Sequence, residues 1–146
     1  MARDIIIIYT DGGCSPNPGK GAWASLVRYK GMDQLLTGST EYTTNNRMEV
    51  MAVLEGLRRC TGGYHIHIVT DSRYTINGIK RLTKDLKKKQ DTFKKYFKSN
   101  YDLWEEMKKE IPRHKCITHI WVRGHSGHPE NTYVDGEVGK ILRGMK

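Results

Sequence analysis

The chain has 146 residues, a formal charge of +9 and 37% hydrophobic residues. That length suits one compact domain, expected to span residues 1–146, and a chain of this size buries about two-thirds of its unfolded surface, so it needs neither disulfides nor a structural metal to fold. The longest apolar run, Ile5 to Tyr9, falls far short of the ~20 residues of a membrane span. Met1-Ala2-Arg3-Asp4 leads straight into that run, without the apolar region and small-residue cleavage site of a secretion signal. Cys14, Cys60 and Cys116 are widely spaced with no CxxC, which reads as reduced thiols in a cytoplasmic protein.

In chain order, Ile5 to Thr10 is a β-branched run expected to form a buried strand. Asp11 to Gly21 is rich in Gly, Pro, Asn and Ser, which is turn chemistry. Ala22 to Tyr29 and Gln34 to Tyr42 read as two further strands, and the connections are short enough for an antiparallel meander. The period then changes. Thr44 begins a helix in which Val50, Val53, Leu54 and Leu57 recur at i, i+3, i+4 and i+7, and Gly62-Gly63 ends it. His65 to Thr70 is a strand, and Asp71-Ser72 caps a helix through about Leu82 that can continue into the lysine-rich stretch. Asn100 or Asp102 caps another helix, stopped near Pro112. Cys116 to Val122 is the last strand, followed by a loop from Gly124 to Asn131 and a helix from about Thr132. The order β-β-β-α-β-α-α-β-α predicts an α/β fold: a five-stranded mixed sheet of three antiparallel and two parallel strands, flanked by helices.

Charge is unevenly spread. Residues 80–98 hold nine basic side chains against Asp85 and Asp91, so this stretch carries +7 of the total +9. Such a segment, interleaved with Phe93, Tyr96 and Phe97, suits a polyanion, foremost nucleic acid. A solvated helix face is the plainer explanation.

Open α/β sheets place ligand sites at the carboxyl ends of their strands. Asp11 follows the first strand and Asp71 the fourth, while Glu49 flanks the buried stripe of the first helix and Asp135 lies early in the last. Singly, each acid has an ordinary role: a turn residue, an N-cap, or a solvated helix residue. Four acids converging at one sheet end would repel unless a cation neutralised them. Hard oxygen ligands of this kind suit Mg²⁺ or Mn²⁺, and two such ions clamp a phosphodiester for in-line displacement.

Four stretches carry a resemblance to a known family: Tyr9-Thr-Asp-Gly-Gly-Cys-Ser-Pro-Asn-Pro-Gly19, Thr43-Thr-Asn-Asn-Arg-Met-Glu49, Thr70-Asp-Ser-Arg-Tyr74, and Gly124-His-Ser-Gly-His-Pro-Glu-Asn131 followed by Asp135. In this order they resemble bacterial type 1 ribonuclease H, from about Asp4 to Asp135. The resemblance implies the ribonuclease H fold and endonucleolytic cleavage of the RNA strand of RNA–DNA hybrids, leaving 5′-phosphate and 3′-hydroxyl ends. It implies Asp11, Glu49, Asp71 and Asp135 as the carboxylates that hold two Mg²⁺ ions, with Mn²⁺ as a substitute, and His125 as a loop histidine for proton transfer or product release. Gly12, Gly13, Asn17, Thr44, Asn45, Asn46 and Arg73 fall at substrate-contact positions. Lys87, Lys88 and Lys89 belong to a basic handle, residues 80–98, that grips the hybrid. The implied protein is a cytoplasmic monomer with no obligate protein partner and no membrane association.

The sequence departs from that family in four places. The basic handle lacks tryptophan, and Phe93, Tyr96 and Phe97 are expected to supply its stacking or packing surface instead. Arg73 stands where bacterial members have Gln. Asp85 stands where Asn joins a phosphate pocket, and an acid facing that phosphate would weaken binding of the DNA strand. Gly136 and Gly139 follow Asp135 where the family has an alanine-rich helix; a helical glycine costs about 1 kcal/mol relative to Ala, which predicts a short or loosely held last helix. Two other functions compete: a nuclease of the same fold acting on DNA or double-stranded RNA, and a non-catalytic hybrid-binding module. The intact set of four acids argues against the second, since a pure binder gains nothing from acids facing a phosphate.

Overall fold

The computed structural model describes residues 4–89, 92–123 and 128–145. Its strands are β1 (Ile5–Cys14), β2 (Gly19–Tyr29), β3 (Met32–Thr43), β4 (His65–Thr70) and β5 (Cys116–Trp121). They pair in the order β3-β2-β1-β4-β5. The first three are mutually antiparallel, and β1–β4 and β4–β5 run parallel. Helices α1 (Asn45–Arg59), α2 (Arg73–Lys88), α3 (Phe93–Tyr96), α4 (Tyr101–Glu110) and α5 (Pro129–Gly144) complete it, with a 3₁₀ turn at Ile111–Arg113. This is the mixed sheet read from the sequence, with one short helix added.

Alternation along β1 and β4 explains the layering. Ile6, Ile8, Ile66 and Ile68 point to one face and are essentially inaccessible, packed with Val50, Val53, Leu54 and Leu57 of α1, Ile79 and Leu82 of α2, and Trp104 and Met107 of α4. On the other face Ala22, Ala24 and Leu26 of β2 meet Val134 and Val138 of α5. The small alanines let that helix approach closely.

Several boundaries differ from the sequence reading. β1 runs four residues beyond Thr10, because Asp11, Gly12, Gly13 and Cys14 continue the ladder opposite Ala24, Trp23, Ala22 and Gly21. The expected turn shrinks to residues 15–18, closed by Ser15 N–H donating to the Lys20 carbonyl at 2.8 Å. Helix α5 starts at Pro129 rather than near Thr132, with proline in its first turn, where no N–H is needed. It continues for 16 residues despite Gly136 and Gly139, because burial of Val134 and Val138 against β2 offsets their backbone entropy. The expectation of a short final helix is therefore corrected.

Helix α2 is continuous through Lys88, and Lys89 caps it in the left-handed region at φ 51°. Phe93 and Phe97 do not form an exposed stacking surface: both are buried, and Phe97 lies 4.9 Å from the Trp104 ring. Asp85 is also buried, and its carboxylate accepts from the Thr92 N–H and Oγ1–H. It holds the start of α3 instead of facing solvent.

Gly78 is the contact on which α2 and α4 close. A Cβ there would lie 2.1 Å from the Trp104 ring. Gly78→Ala should therefore destabilise the protein by about 1–3 kcal/mol through overpacking, read as a lower urea midpoint at unchanged slope; an unchanged midpoint would mean that Trp104 shifts freely.

Candidate active site

Parallel pairing of β1 with β4 sets Tyr9 beside Val69, so the residues that follow at the carboxyl ends, Asp11 and Asp71, sit side by side. Asp71 does not cap α2. Ser72 does, its Oγ accepting from Thr75 N–H at 3.1 Å, which leaves the Asp71 carboxylate for the cleft. Glu49 arrives on the first turns of α1. That helix presses against β1 at Gly12, where a Cβ would come within 2.3 Å of the Met48 carbonyl carbon. The Gly12 N–H donates directly to Glu49. No residue with a side chain fits there without moving α1, and Glu49 would move with it.

One carboxylate oxygen from each of Asp11, Glu49 and Asp71 lies within 4.8 Å of the other two. Asp135 on α5 lines the same cleft, near enough for its charge to act on Asp11. All four line one cleft of about 660 Å³ with Gly12, Gly13, Asn45, Asn46, Arg73 and Arg143. Burial, followed by the charges of Asp71 and Asp135, pushes the Asp11 carboxyl up to about 8. Burial and the charges of Asp11 and Asp71 likewise push Glu49 well above the carboxylate range. Among the described residues no lysine or arginine pairs with Asp11, Glu49 or Asp71. Closely set hard oxygens without a protein counter-charge fit a small divalent cation.

The other residues singled out in the sequence divide by position. Gly13, Asn45 and Asn46 face the cleft. Asn17 lies on the turn before β2 and its Oδ1 accepts from Asn45 N–H at 3.1 Å, tying that turn to the start of α1. Thr44 is the α1 N-cap, accepting from Arg47 N–H. Lys87 and Lys88 lie apart from the acids, about 20 Å along α2 from Arg73 at 1.5 Å per residue, in a second groove with Lys80, Lys84 and His119. Lys89 is exposed at the end of α2. His125 lies outside the described residues. Sequence reasoning named Asp71-Ser72 as the cap without choosing between them, and it missed Arg143 and Trp121. The clue for Trp121 was its place in β5 opposite Thr70, which depends on strand register and is silent in the sequence.

A mixed sheet of this order, with acids gathered at the carboxyl ends of adjacent central strands, defines a nuclease. The chain belongs to the ribonuclease H family: the model of that family, described as RNase H, matches residues 3–142. Ribonuclease H of Stutzerimonas stutzeri (strain A1501) is 41% identical over 136 residues, covering 92% of this chain and 89% of that protein. Ribonuclease H of Pseudomonas entomophila (strain L48) is 43% identical over 133 residues, covering 90% and 89%. Among solved structures, the crystal structure of LC9-RNase H1, described as a type 1 RNase H with the type 2 active-site motif, aligns at a TM-score of 0.79 and 25% identity. That alignment covers all of this chain and 75% of the other.

The raised Asp11 carboxyl links the site to stability. A carboxyl whose folded pKa lies above its unfolded 3.8 contributes stability below about pH 4 and loses it as pH rises through about 8. In chelator, wild-type stability should therefore fall across pH 4–8. Asp11→Asn should flatten that fall and gain on the order of 2 kcal/mol at pH 7. Urea unfolding across this pH range checks it; equal slopes for the two proteins would show that Asp11 bears no excess repulsion.

Proposed function

We propose that this protein is an endoribonuclease that hydrolyses the RNA strand of RNA–DNA hybrids, leaving 5′-phosphate and 3′-hydroxyl ends. The observation that carries the reading is the acid cleft: three carboxylate oxygens within 4.8 Å of one another, with Asp135 lining the same cleft, in a chain whose curated relatives carry the name ribonuclease H.

In this reading Asp11, Glu49, Asp71 and Asp135 hold two Mg²⁺ ions, or Mn²⁺ in their place. Such ions supply charge relief at the scissile phosphate and activation of the attacking water. The protein's own groups do the rest. Gly12 brings α1 against β1, so that Glu49 and Asp11 share the cleft. Asn45 and Asn46 stand at the start of α1, where backbone N–H groups and the helix dipole favour a phosphate. Their amides, with the backbone at Gly12 and Gly13, are suited to read the 2′-hydroxyls in the wide minor groove that separates RNA from DNA. Thr44 caps α1 through its oxygen and keeps its hydroxyl proton to donate to a phosphate of the DNA strand. Asn17 steadies this edge. His125 is assigned the proton delivered to the departing 3′-oxygen, a step that needs a carrier titrating near neutrality.

The basic surface holds the duplex. Lys80, Lys84, Lys87 and Lys88 share one face of α2 at i, i+4, i+7 and i+8 and form no ion pair among the described residues. With Lys89 they form a cationic wall for the phosphate backbone. Among the described residues no helix is long and apolar enough to cross a membrane. The reading is completed by action in the cytoplasm, as a monomer.

Strand-labelled duplexes test the reading. Cleavage should be confined to the RNA strand of the hybrid, require a divalent ion and yield 5′-phosphate ends; cleavage of matched DNA or double-stranded RNA at the same rate would overturn the substrate assignment. Asp11→Asn, Glu49→Gln and Asp71→Asn should each lower kcat by at least about 10²-fold, as loss of a charge-stabilising group does, while the protein stays folded. Neutralising Lys87, Lys88 and Lys89 together should raise KM more than it lowers kcat and reduce the slope of log affinity on log salt by up to about three; an unchanged slope would remove them from the interface.

A further inference from the structure

Trp121 ends β5, opposite Thr70 in the parallel ladder and thus one residue before Asp71. It makes two contacts across the turn that carries that acid. Its indole N–H donates to the Asp71 carbonyl oxygen at 2.9 Å. Its ring face holds the Arg73 guanidinium, with Cζ 4.2 Å from the ring centroid. Neighbouring bonds brace the same turn: Val122 N–H donates to the Thr70 carbonyl at 2.9 Å, and Ser72 N–H to Thr70 Oγ1 at 3.1 Å.

The stack matters for what Arg73 does not do. Arg73 lines the cleft with Asp11, Glu49 and Asp71, yet it forms no ion pair with any of them among the described residues. An arginine folded into the acids would neutralise them and compete with a divalent cation. Held over the indole, the guanidinium makes no hydrogen bond or ion pair among the described residues, and its planar N–H fork matches the paired oxygens of a phosphate. Stacking also removes rotamer freedom before a ligand arrives, which lowers the cost of making the contact.

We propose that Trp121 is a positioning residue, which keeps the Arg73 guanidinium off the acids and presents it to a backbone phosphate of the bound strand, while fixing the backbone of Asp71. This rests on the proposed cleavage of a nucleic-acid strand in the cleft.

The test is steady-state cleavage of an RNA–DNA hybrid at several salt concentrations by wild type, Trp121→Leu, Trp121→Phe, Arg73→Gln and the double variant Trp121→Leu/Arg73→Gln, with thermal midpoints on the same samples. Trp121→Leu should raise KM about two- to fivefold, the worth of an exposed cation–π stack, and lower the salt slope by up to about one. Arg73→Gln should match or exceed that change, and the double variant should have the KM and salt slope of Arg73→Gln alone, with the kcat loss of Trp121→Leu added because the donor to Asp71 is gone. Trp121→Phe should restore KM, because the ring face returns, but keep a lowered kcat, because the donor to Asp71 does not. Wild-type KM and salt slope in Trp121→Leu would overturn the proposal, as would fully additive losses in KM in the double variant. So would a lowered midpoint with reduced kcat and an unchanged salt slope, which is the signature of a purely structural residue. A wild type that leaves the hybrid intact would overturn the proposed function instead; the same variants, read as salt-dependent hybrid binding, would then decide the pair by the same criteria.

Discussion

Mutual repulsion among carboxylates is the constraint around which this molecule is arranged. Three acid oxygens held within 4.8 Å of one another repel by about 3–4 kcal/mol per ionised pair at an effective dielectric near 20. An unconstrained chain would relax by moving them apart. Here the backbone under each acid is held by something costly to disturb. Asp11 lies in the central strand, paired with Ala24 of β2 two residues past the last rung to β4. Glu49 lies on a helix whose backbone touches that strand at Gly12, and Asp71 is braced by Ser72, Thr70 and Trp121. The repulsion cannot be released by motion, so it adds to burial, the larger cause, in raising the Asp11 and Glu49 carboxyls.

The same design explains the division of charge over the surface. In a chain of net charge +9, no lysine among the described residues pairs with Asp11, Glu49 or Asp71, and lysines line up elsewhere, along one face of α2. A polyanion is drawn by the second region and meets the first only when cations stand between its phosphates and the acids. Pairing the lysines with the carboxylates would quiet both regions and leave neither with a use. Arg73 stands between the two regimes, and its stack on Trp121 keeps it from collapsing into the acids.

The basic segment is not an appendage. Phe93 and Phe97 pack into the main core beside Trp104, and buried Asp85 bonds to Thr92 at the start of α3. Aromatic residues among lysines invite a base-stacking interpretation, but their burial makes them anchors that hold the cationic helix in a fixed relation to the cleft. Tyr96 is the exposed one of the three, and it carries the Arg81 guanidinium 4.5 Å from its ring centroid.

Local chemistry decided what was legible in the sequence. Alternating isoleucines, the i, i+3, i+4, i+7 pattern of α1 and the connection lengths determined the strands, the main helices and the mixed sheet, because each depends on near neighbours along the chain. The same periodicity put Asp11 and Asp71 at strand ends and Glu49 at a helix edge. Tertiary contacts decided the rest. Extension of β1 through Asp11 depends on β2 supplying partners. Persistence of α5 across two glycines depends on burial of Val134 and Val138 beneath it. The pairing of Trp121 with Arg73 and with the Asp71 carbonyl follows from strand register between segments some fifty residues apart. Such pairings carry no local signature, because their free energy arises only when the sheet has formed.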